Sequence, residues 1–238
     1  MRKPEIPPAF ESLLSRLSKP ERLFEFLQAV ADPTTEGRYP HWDEHGIKRV
    51  HIPHGADASI YMNYGLEKDI DVLIIGNLST NYYPHRVRLK NIATQILRKR
   101  SYRVHVSPHP GYKLSPIREG SVIGIDYAKL INRSKLVVTC SMIHHYALAK
   151  YAEIALCRSL AVADVPAERQ EYFRSTILEA APSMLDRTIV DLMESVLDDP
   201  AELERRTVQA YDIALPRVTL AHYAEAFRIA ITNLLEGK

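Results

Sequence analysis

Glycine is scarce in this chain, which has nine glycines and fifteen prolines among its 238 residues. The sequence contains neither the G-x-G-x-x-G pattern of dinucleotide-binding turns nor the G-x-x-x-x-G-K-[ST] pattern of P-loops, both of which use glycine to bring the backbone close to phosphate. A glycine-rich phosphate site is therefore not indicated. Any phosphate that the chain binds must be held by side chains and by a helix N-terminus.

Cysteine and long apolar runs are scarce as well. The two cysteines, Cys140 and Cys157, do not make a disulfide framework, and no stretch approaches the roughly 20 apolar residues that span a bilayer. The first residues show no apolar signal segment. We therefore expect a cytoplasmic protein with no transmembrane segment.

Charge of one sign is also missing. Lysine and arginine number 31 against 29 aspartates and glutamates, a net charge of +2, so we expect no nucleic-acid partner. The basic run from Arg98 to Arg103 lies at the expected end of a helix, where the helix dipole alone favours cations. With 46% hydrophobic and 25% charged residues, the composition indicates one large globular domain, or one domain with an appendage.

Two regions of the chain differ in pattern. Residues 1–47 carry apolar residues at three-to-four spacing and then a turn-rich stretch around Trp42, which predicts a short helical appendage and a linker. Residues 48–238 predict a separate domain in which strands and helices alternate. This alternation is typical of an α/β Rossmann-like fold, a parallel sheet with flanking helices.

Apolar runs and helical periodicity give the elements of this second region. The predicted strands are 72–76, 102–106, 136–139, 160–163 and 177–180. The predicted helices are 84–98, 125–132, 145–157, 185–197, 201–213 and 218–235. Proline separates the last three helices, because the residue before a proline avoids the helical conformation.

The carboxyl ends of the strands are the expected place for a ligand, since helix N-termini there offer unpaired N–H groups. This rule selects Gly76, Asn77 and Arg86 after the first strand, His109 after the second, and Ser141 and His145 after the third. We expect residues 141–145 to form the N-terminus of the following helix and so to face the ligand.

Lys150 and Glu153 complete the candidate site. They lie three residues apart on the predicted helix 145–157, so they share one face of it. A carboxylate there could accept hydrogen bonds from two ribose hydroxyls, and the lysine could approach a phosphate. The alternative, which is the more frequent reason for this spacing, is an exposed ion pair worth a few tenths of a kcal/mol.

Several segments resemble the C-terminal, donor-binding domain of GT-B glycosyltransferases. The matching segments are Asp71 to Asn77, Tyr83 to Arg86, Tyr127 to Lys135, Ala149 to Cys157 and Ala161 to Asp164, with His54 to Asp57 before them and parts of 185–211 after them. Within that fold they are most similar to the spore-coat maturation, CgeB-like group. The resemblance covers residues 48–235.

The resemblance implies one half of a GT-B fold that binds a nucleotide-diphosphate sugar and transfers its glycosyl group to an unknown acceptor. It implies that Glu153 holds the ribose hydroxyls and that Lys150 is the basic residue before it. Arg86 and the loop after Gly76 would lie near the diphosphate. No metal and no cofactor is implied, because the nucleotide-sugar is a substrate.

Two departures from this family leave the catalytic residues unknown. The related glutamate pair has seven residues between its members, and the upstream position here is His145. Only 47 residues precede the match, fewer than the roughly 100 of a Rossmann-like acceptor domain. We expect the acceptor domain to be missing or to come from a partner chain. The alternative is a non-catalytic regulatory module that kept the fold and binds a nucleotide or a partner.

Two further signals lie in or near the appendage. Residues 14–17, 19–23 and 32–43 resemble an N-terminal segment of bacterial Fic-type proteins without the Fic catalytic motif, which suggests a docking module. Four histidines, at positions 41, 45, 51 and 54, could bind a metal, but their spacing matches no standard zinc site. We expect them to be ordinary loop histidines.

Overall fold

The computed structural model describes residues 52, 54–111, 119–143, 145–167 and 170–236, with only the backbone for 234–236. By its contacts the chain divides into one unit of Met1–Ile52 and Ile229–Lys238 and another of Pro53–Arg228. The second unit holds the sheet and the site. The predicted appendage and linker, their boundary at residue 47, the Fic-like segment and three of the four histidines lie outside the described residues and stay predictions.

Five strands form one parallel sheet, as the alternating pattern predicts. They are β1 (Ile70–Ile74), β2 (Val104–Val106), β3 (Ser134–Val138), β4 (Leu160–Ala163) and β5 (Ile177–Glu179). Their order across the sheet is β2-β1-β3-β4-β5. Val72 of β1 is in register with Val104 on one side and with Leu136 on the other.

Helices connect the strands and follow the last one. They are α1 (Pro84–Ile92), α2 (Gly124–Asn132), α3 (Ala149–Leu156), α4 (Gln170–Thr176), α5 (Asp186–Leu197), α6 (Pro200–Ala214) and α7 (Leu220–Glu236). The chain continues from α1 through a π-helical turn (Ala93–Leu97) and a 3-10 turn (Arg98–Arg100). Asp199 begins α6 by accepting hydrogen bonds from two backbone N–H groups of the first turn.

Both faces of the sheet are covered by helices, so the strands send side chains into two cores. Val72 and Ile74 pack in one core with residues of α1 and α5. Leu73 and Ile75, which alternate with them, pack in the other core with residues of α2, α3 and α4. A strand buried on both faces has no polar face to alternate with, which explains the continuous apolar run in the sequence.

Two local predictions are wrong. The predicted helix 145–157 begins only at Ala149, because Met142 and His145 have left-handed φ angles of 55° and 57° and Leu148 is extended. Helix α4 is absent from the sequence-based prediction, since seven residues are too few to show a helical period. The other predicted elements are present, with ends that differ by a few residues.

The membrane prediction can be examined directly in the described residues. None of their helices is both long and apolar enough to cross a bilayer. Cys140 and Cys157 are both buried and unpaired with each other.

A charged network closes the amino edge of the sheet. Asp71 at the start of β1 is 6% exposed. Its carboxylate accepts hydrogen bonds from the backbone N–H and guanidinium of Arg103, before β2, and pairs with Lys135 of β3 at 2.7 Å. Burial raises the pKa of Asp71, but these hydrogen bonds outweigh burial and hold the pKa below its ordinary value. The charged carboxylate therefore ties three neighbouring strands together.

The variant Asp71→Asn tests this network. It keeps the shape of the side chain and removes its charge, so we expect the free energy of unfolding at pH 7 to fall by about 1–3 kcal/mol in urea titrations. Because the folded pKa is depressed, the carboxylate stabilises the fold above the ordinary pKa of an aspartate, and this contribution is lost as the pH falls through the folded pKa. A gap between wild type and variant that does not shrink in acid would contradict the assignment.

Candidate functional site

The strand order reverses at the carboxyl ends of β1 and β3. From β1 the chain crosses to β2 on one side, and from β2 it returns past β1 to β3 on the other. The loops that leave β1 and β3 therefore run to opposite faces of the sheet and leave a crevice between them, which is the ligand position of open parallel sheets. Gly76 follows β1 at this point, and Thr139 follows β3.

A cleft of about 250 Å³ opens at this edge of the sheet. It is lined by the end of β1, by residues 107–110 after β2, by the start of α2 and by side chains of α3. Four of the predicted site residues are among those that line it, Gly76, His109, Lys150 and Glu153. They come from three different loops or helices, so the fold brings them together across a long stretch of sequence.

Arg86 lies on α1 behind the cleft and is almost completely buried, at 1% exposure. Its guanidinium donates to the carbonyl oxygen of Asn77 at 3.0 Å and to the hydroxyl of Thr139 at 3.3 Å, and it lies 4.3 Å from the ring centroid of Tyr83. Within the described part of the chain, its Nε has no hydrogen-bond partner. None of the ion pairs among the described residues involves Arg86.

Gly76 separates this arginine from Lys150. Its φ is 91°, and a Cβ atom on it would lie 2.8 Å from Cε of Lys150 and 2.9 Å from Nη1 of Arg86. Both distances are shorter than any real contact of a Cβ atom, so only glycine fits here without displacing a cation. The close approach of two positive side chains depends on this one missing methyl group.

Lys150, Tyr127 and Glu153 form a hydrogen-bonded chain in the cleft wall. The ammonium of Lys150 donates to the phenol oxygen of Tyr127 at 2.8 Å, and the phenol donates to Oε2 of Glu153 at 3.4 Å. The direct distance between the ammonium and that carboxylate is 4.0 Å, with side chains 24% and 14% exposed. The predicted pair on one helix face is therefore present, but it lines a cleft rather than an open surface.

Burial shifts the pKa values of Lys150 and of the two tyrosines in the cleft. It lowers the pKa of Lys150, while Glu153 raises that pKa and Arg86 lowers it further. Burial and the charge of Glu153 raise the pKa of Tyr127 well above its ordinary value. Tyr61 also faces the carboxylate, and burial followed by the charge of Glu153 raises its pKa. Both phenols therefore stay protonated and can donate to Glu153.

Two further predicted residues shape the loops of the site. Nδ1 of His109 accepts a hydrogen bond from the backbone N–H of Gly111 at 3.0 Å, so the ring is fixed at the cleft. Oδ1 of Asn77 accepts one from the backbone N–H of Ser79 at 2.8 Å. Because the Asn77 carbonyl receives Arg86, this turn aims the carbonyl at the guanidinium.

Ser141 and His145 do not line the cleft. Ser141 is fully buried, and both its backbone N–H and its hydroxyl donate to the carboxylate of Asp164. His145 is exposed, and its carbonyl accepts from the backbone N–H of Ala167 at 2.7 Å. The expected helix N-terminus at 141–145 is wrong, because α3 begins four residues later.

Three residues of the site are absent from the sequence-based set. Tyr127 and Tyr61 line the cleft beside Glu153, and Thr139 anchors Arg86. Tyr127 is the first residue of the matched segment 127–135, near the start of a helix at the carboxyl edge of the sheet. That position could have identified it as a site residue. Tyr61 and Thr139 offer none, since only the folded chain shows which way they point.

Comparison with known proteins gives matches in structure alone. No protein family matches the sequence, and no curated protein matches it either. A sucrose-phosphate synthase from Thermosynechococcus elongatus aligns over 93% of this chain with a TM-score of 0.60 and 12% identity. An alpha-glucosyltransferase solved with UDP-glucose and DNA containing an abasic site aligns over 78% with a TM-score of 0.56 and 12% identity. The chain has the Rossmann-like fold of GT-B glycosyltransferases.

A pneumococcal O-GlcNAc transferase, solved with UDP and GlcNAc, also matches this fold. It aligns over 90% of this chain with a TM-score of 0.52 and 12% identity. The chain spans 64%, 58% and 44% of the lengths of these three proteins. In the part of the chain that the structure describes, no group of three or more histidine, cysteine or carboxylate side chains is placed to hold a metal ion.

The variant Gly76→Ala tests the close approach of the two cations. Gly65→Ala is the matched control, because Gly65 also has a positive φ, of 66°, but its Cβ would meet nothing within 4 Å. We expect the control to lose about 1 kcal/mol of unfolding free energy from backbone strain. Gly76→Ala should lose about 1–3 kcal/mol more, because Lys150 and Arg86 must move. Equal losses in urea unfolding would show that the contacts with the cations do not matter.

Proposed function

We propose that this chain is the donor-binding half of a GT-B type glycosyltransferase. It binds a nucleotide-diphosphate sugar in the cleft at the carboxyl ends of the strands, and the glycosyl group passes to an acceptor still to be identified. The observation that carries the proposal is the buried Arg86, which has no counter-ion among the described residues. It lies across Gly76 from Lys150, and Lys150 lines the cleft together with Glu153.

The diphosphate would lie at Gly76. A buried cation without a counter-ion is costly to the fold, and an anion at this position would neutralise it. Lys150 has donors left after its bond to Tyr127, and Arg86 contributes its charge from behind Gly76. In glycosyl transfer, negative charge develops on the departing nucleoside diphosphate, so cations held in place there stabilise the transition state.

The ribose would lie at Glu153. A carboxylate accepts hydrogen bonds only, and two adjacent hydroxyls are a matched pair of donors for its two oxygens. The ammonium of Lys150 lies 4.0 Å from Oε2 of Glu153. His109 and Asn77 would complete the donor site, the first at the cleft and the second through the turn that positions Arg86. We assign no metal and no cofactor to the site.

The finer parts of the proposal rest on sequence. Segments 71–77 and 149–157 support the CgeB-like group within this fold, and residues 14–43 support a Fic-like docking module. We propose that an acceptor domain comes from a partner chain. Two buried, unpaired cysteines support a reducing compartment, the cytoplasm.

A second candidate is a non-catalytic regulatory module that binds a nucleotide or a partner. It is supported by His145, which occupies the position of the first glutamate of the related pair and lies exposed off the cleft. The two candidates differ in turnover. Release of nucleoside diphosphate from a panel of nucleotide-sugars, in cell extract and with purified chain, supports the enzyme, and tight binding with no release under any condition supports the module.

The variant Glu153→Gln tests the ribose position. In calorimetry with uridine, guanosine, adenosine and thymidine diphosphates, we expect the best ligand to bind about 10–100 times more weakly to the variant, because charge-assisted hydrogen bonds are lost. The wild type should prefer the ribose form over the 2′,3′-dideoxy form, and the variant should not. Glu225→Gln, on an exposed part of α7, is the matched control. Unchanged affinity in Glu153→Gln would refute the ribose role.

A pair of variants on α1 tests the diphosphate position. Arg86→Met removes a buried charge, so we expect the free energy of unfolding to change by less than about 1 kcal/mol or to rise, while diphosphate affinity falls about 10–100-fold. Arg88→Met removes contacts with Asp186 and with two backbone carbonyls of the segment after β5. It should lower stability by about 1–2 kcal/mol and leave affinity unchanged. Loss of stability in Arg86→Met without loss of affinity would make Arg86 purely structural.

A further inference from the structure

Tyr127 stands between the two charged side chains of α3. Its phenol oxygen is 2.8 Å from the ammonium of Lys150 and 3.4 Å from Oε2 of Glu153. The ammonium also lies 5.0 Å from the centre of the Tyr127 ring. The phenol belongs to α2, so its position is set by a different element from the one that carries the two charges.

The direction of the two hydrogen bonds is fixed by chemistry. An ammonium can only donate and a carboxylate can only accept, so the phenol must accept from Lys150 and donate to Glu153. Its single proton is then committed to the carboxylate. Burial keeps the phenol neutral, because it raises the pKa of Tyr127 well above its ordinary value.

This bridge keeps the ammonium of Lys150 and the carboxylate of Glu153 out of direct hydrogen-bond contact, so their ion pair stays long. Residues three apart on a helix can bring their charges to hydrogen-bond distance, and a half-buried pair gains free energy by doing so. Here the two charged atoms are 4.0 Å apart. Two donors of the ammonium are left out of the bridge. The carboxylate also faces the phenol of Tyr61, but its two oxygens can accept more hydrogen bonds than these two phenols supply.

We propose that Tyr127 is a positioning residue that holds Lys150 and Glu153 apart, so that the lysine stays available to a phosphate and the glutamate to a ribose. This role rests on the proposed function for the identity of the ligand. The separation itself is a property of the free protein. Without the phenol, the lysine would turn to the glutamate and the two would neutralise each other inside the cleft.

The first test measures the lysine in the absence of ligand. The pKa of Lys150 is followed by NMR on carbon-13 dimethylated lysines, with its signal assigned by its loss in Lys150→Arg. Among the residues that the structure describes, Glu153, Arg86 and Tyr127 face this ammonium. In Tyr127→Phe we expect the pKa to rise, because the ammonium moves closer to Glu153. A pKa that falls or stays the same overturns the proposal, since a lost acceptor without movement can only lower it.

The second test measures binding. Tyr127→Phe should bind the best nucleoside diphosphate about 5–10 times more weakly, although the phenol itself need not touch the ligand. In the Glu153→Gln background the same change should cost much less, because the charge that attracts the lysine is gone. Additive losses in the double variant would overturn the proposal. If no nucleoside diphosphate binds to the wild type, the proposed function fails while the result for the lysine pKa still decides the role of Tyr127.

Tyr102→Phe is the matched control for both tests. Its phenol also donates to a carboxylate, that of Asp198 at 2.8 Å, but at a distance from the cleft. It should lower stability slightly and leave both the pKa of Lys150 and the ligand affinity unchanged. A Lys150 shift of the same size in Tyr102→Phe would show that general loosening of the fold, and not the bridge, moves the lysine.

Discussion

The site is organised around a positive charge that the fold buries without neutralising. The guanidinium of Arg86 donates to two neutral oxygens and lies over an aromatic ring. Among the residues described, it pairs with no carboxylate. A second cation, Lys150, lies against it across Gly76, and the charge of Arg86 lowers the pKa of Lys150. The turn at Asn77 and the hydroxyl of Thr139 serve mainly to hold the guanidinium in this unfavourable place. The cleft is therefore prepared for an anion before any ligand arrives.

The two edges of the sheet treat charge in opposite ways. At the amino edge, Lys68 donates to the carbonyls of Asn132 and Ser134 and to the hydroxyl of Ser159, and burial lowers its pKa to about 8. All three of its protons have acceptors, as the carboxylate of Asp71 has donors. The charged groups at that edge therefore serve only to stabilise the fold. At the carboxyl edge, the two cations keep donors that no described residue uses. Such a site lowers the stability of the fold, which is the usual trade-off at a binding site.

The sheet and the broad position of the site follow from sequence because they depend on short-range patterns. The apolar run at 72–75 is short and rich in β-branched residues, which favours a doubly covered strand, and the alternation of strands and helices then points to the carboxyl ends of the strands. The identity of Lys150 and Glu153 as neighbours follows from helix spacing. The buried position of Ser141 could not be predicted from helix spacing, since its partner Asp164 lies 23 residues away. Tyr61 joins the cleft from before the sheet, and no local pattern announces such a contact.

Gly76 limits which side chains fit at two distant positions, 86 and 150. A methyl group there would occupy the space of Cε of Lys150 and Nη1 of Arg86 at once. In relatives with a larger residue at this position, the side chains at positions 86 and 150 would have to move apart or be shorter. The three positions should therefore vary as a set. In a chain with so few glycines, this one marks which homologues still have room for two cations, and a search by that triplet would sort them without any knowledge of their substrates.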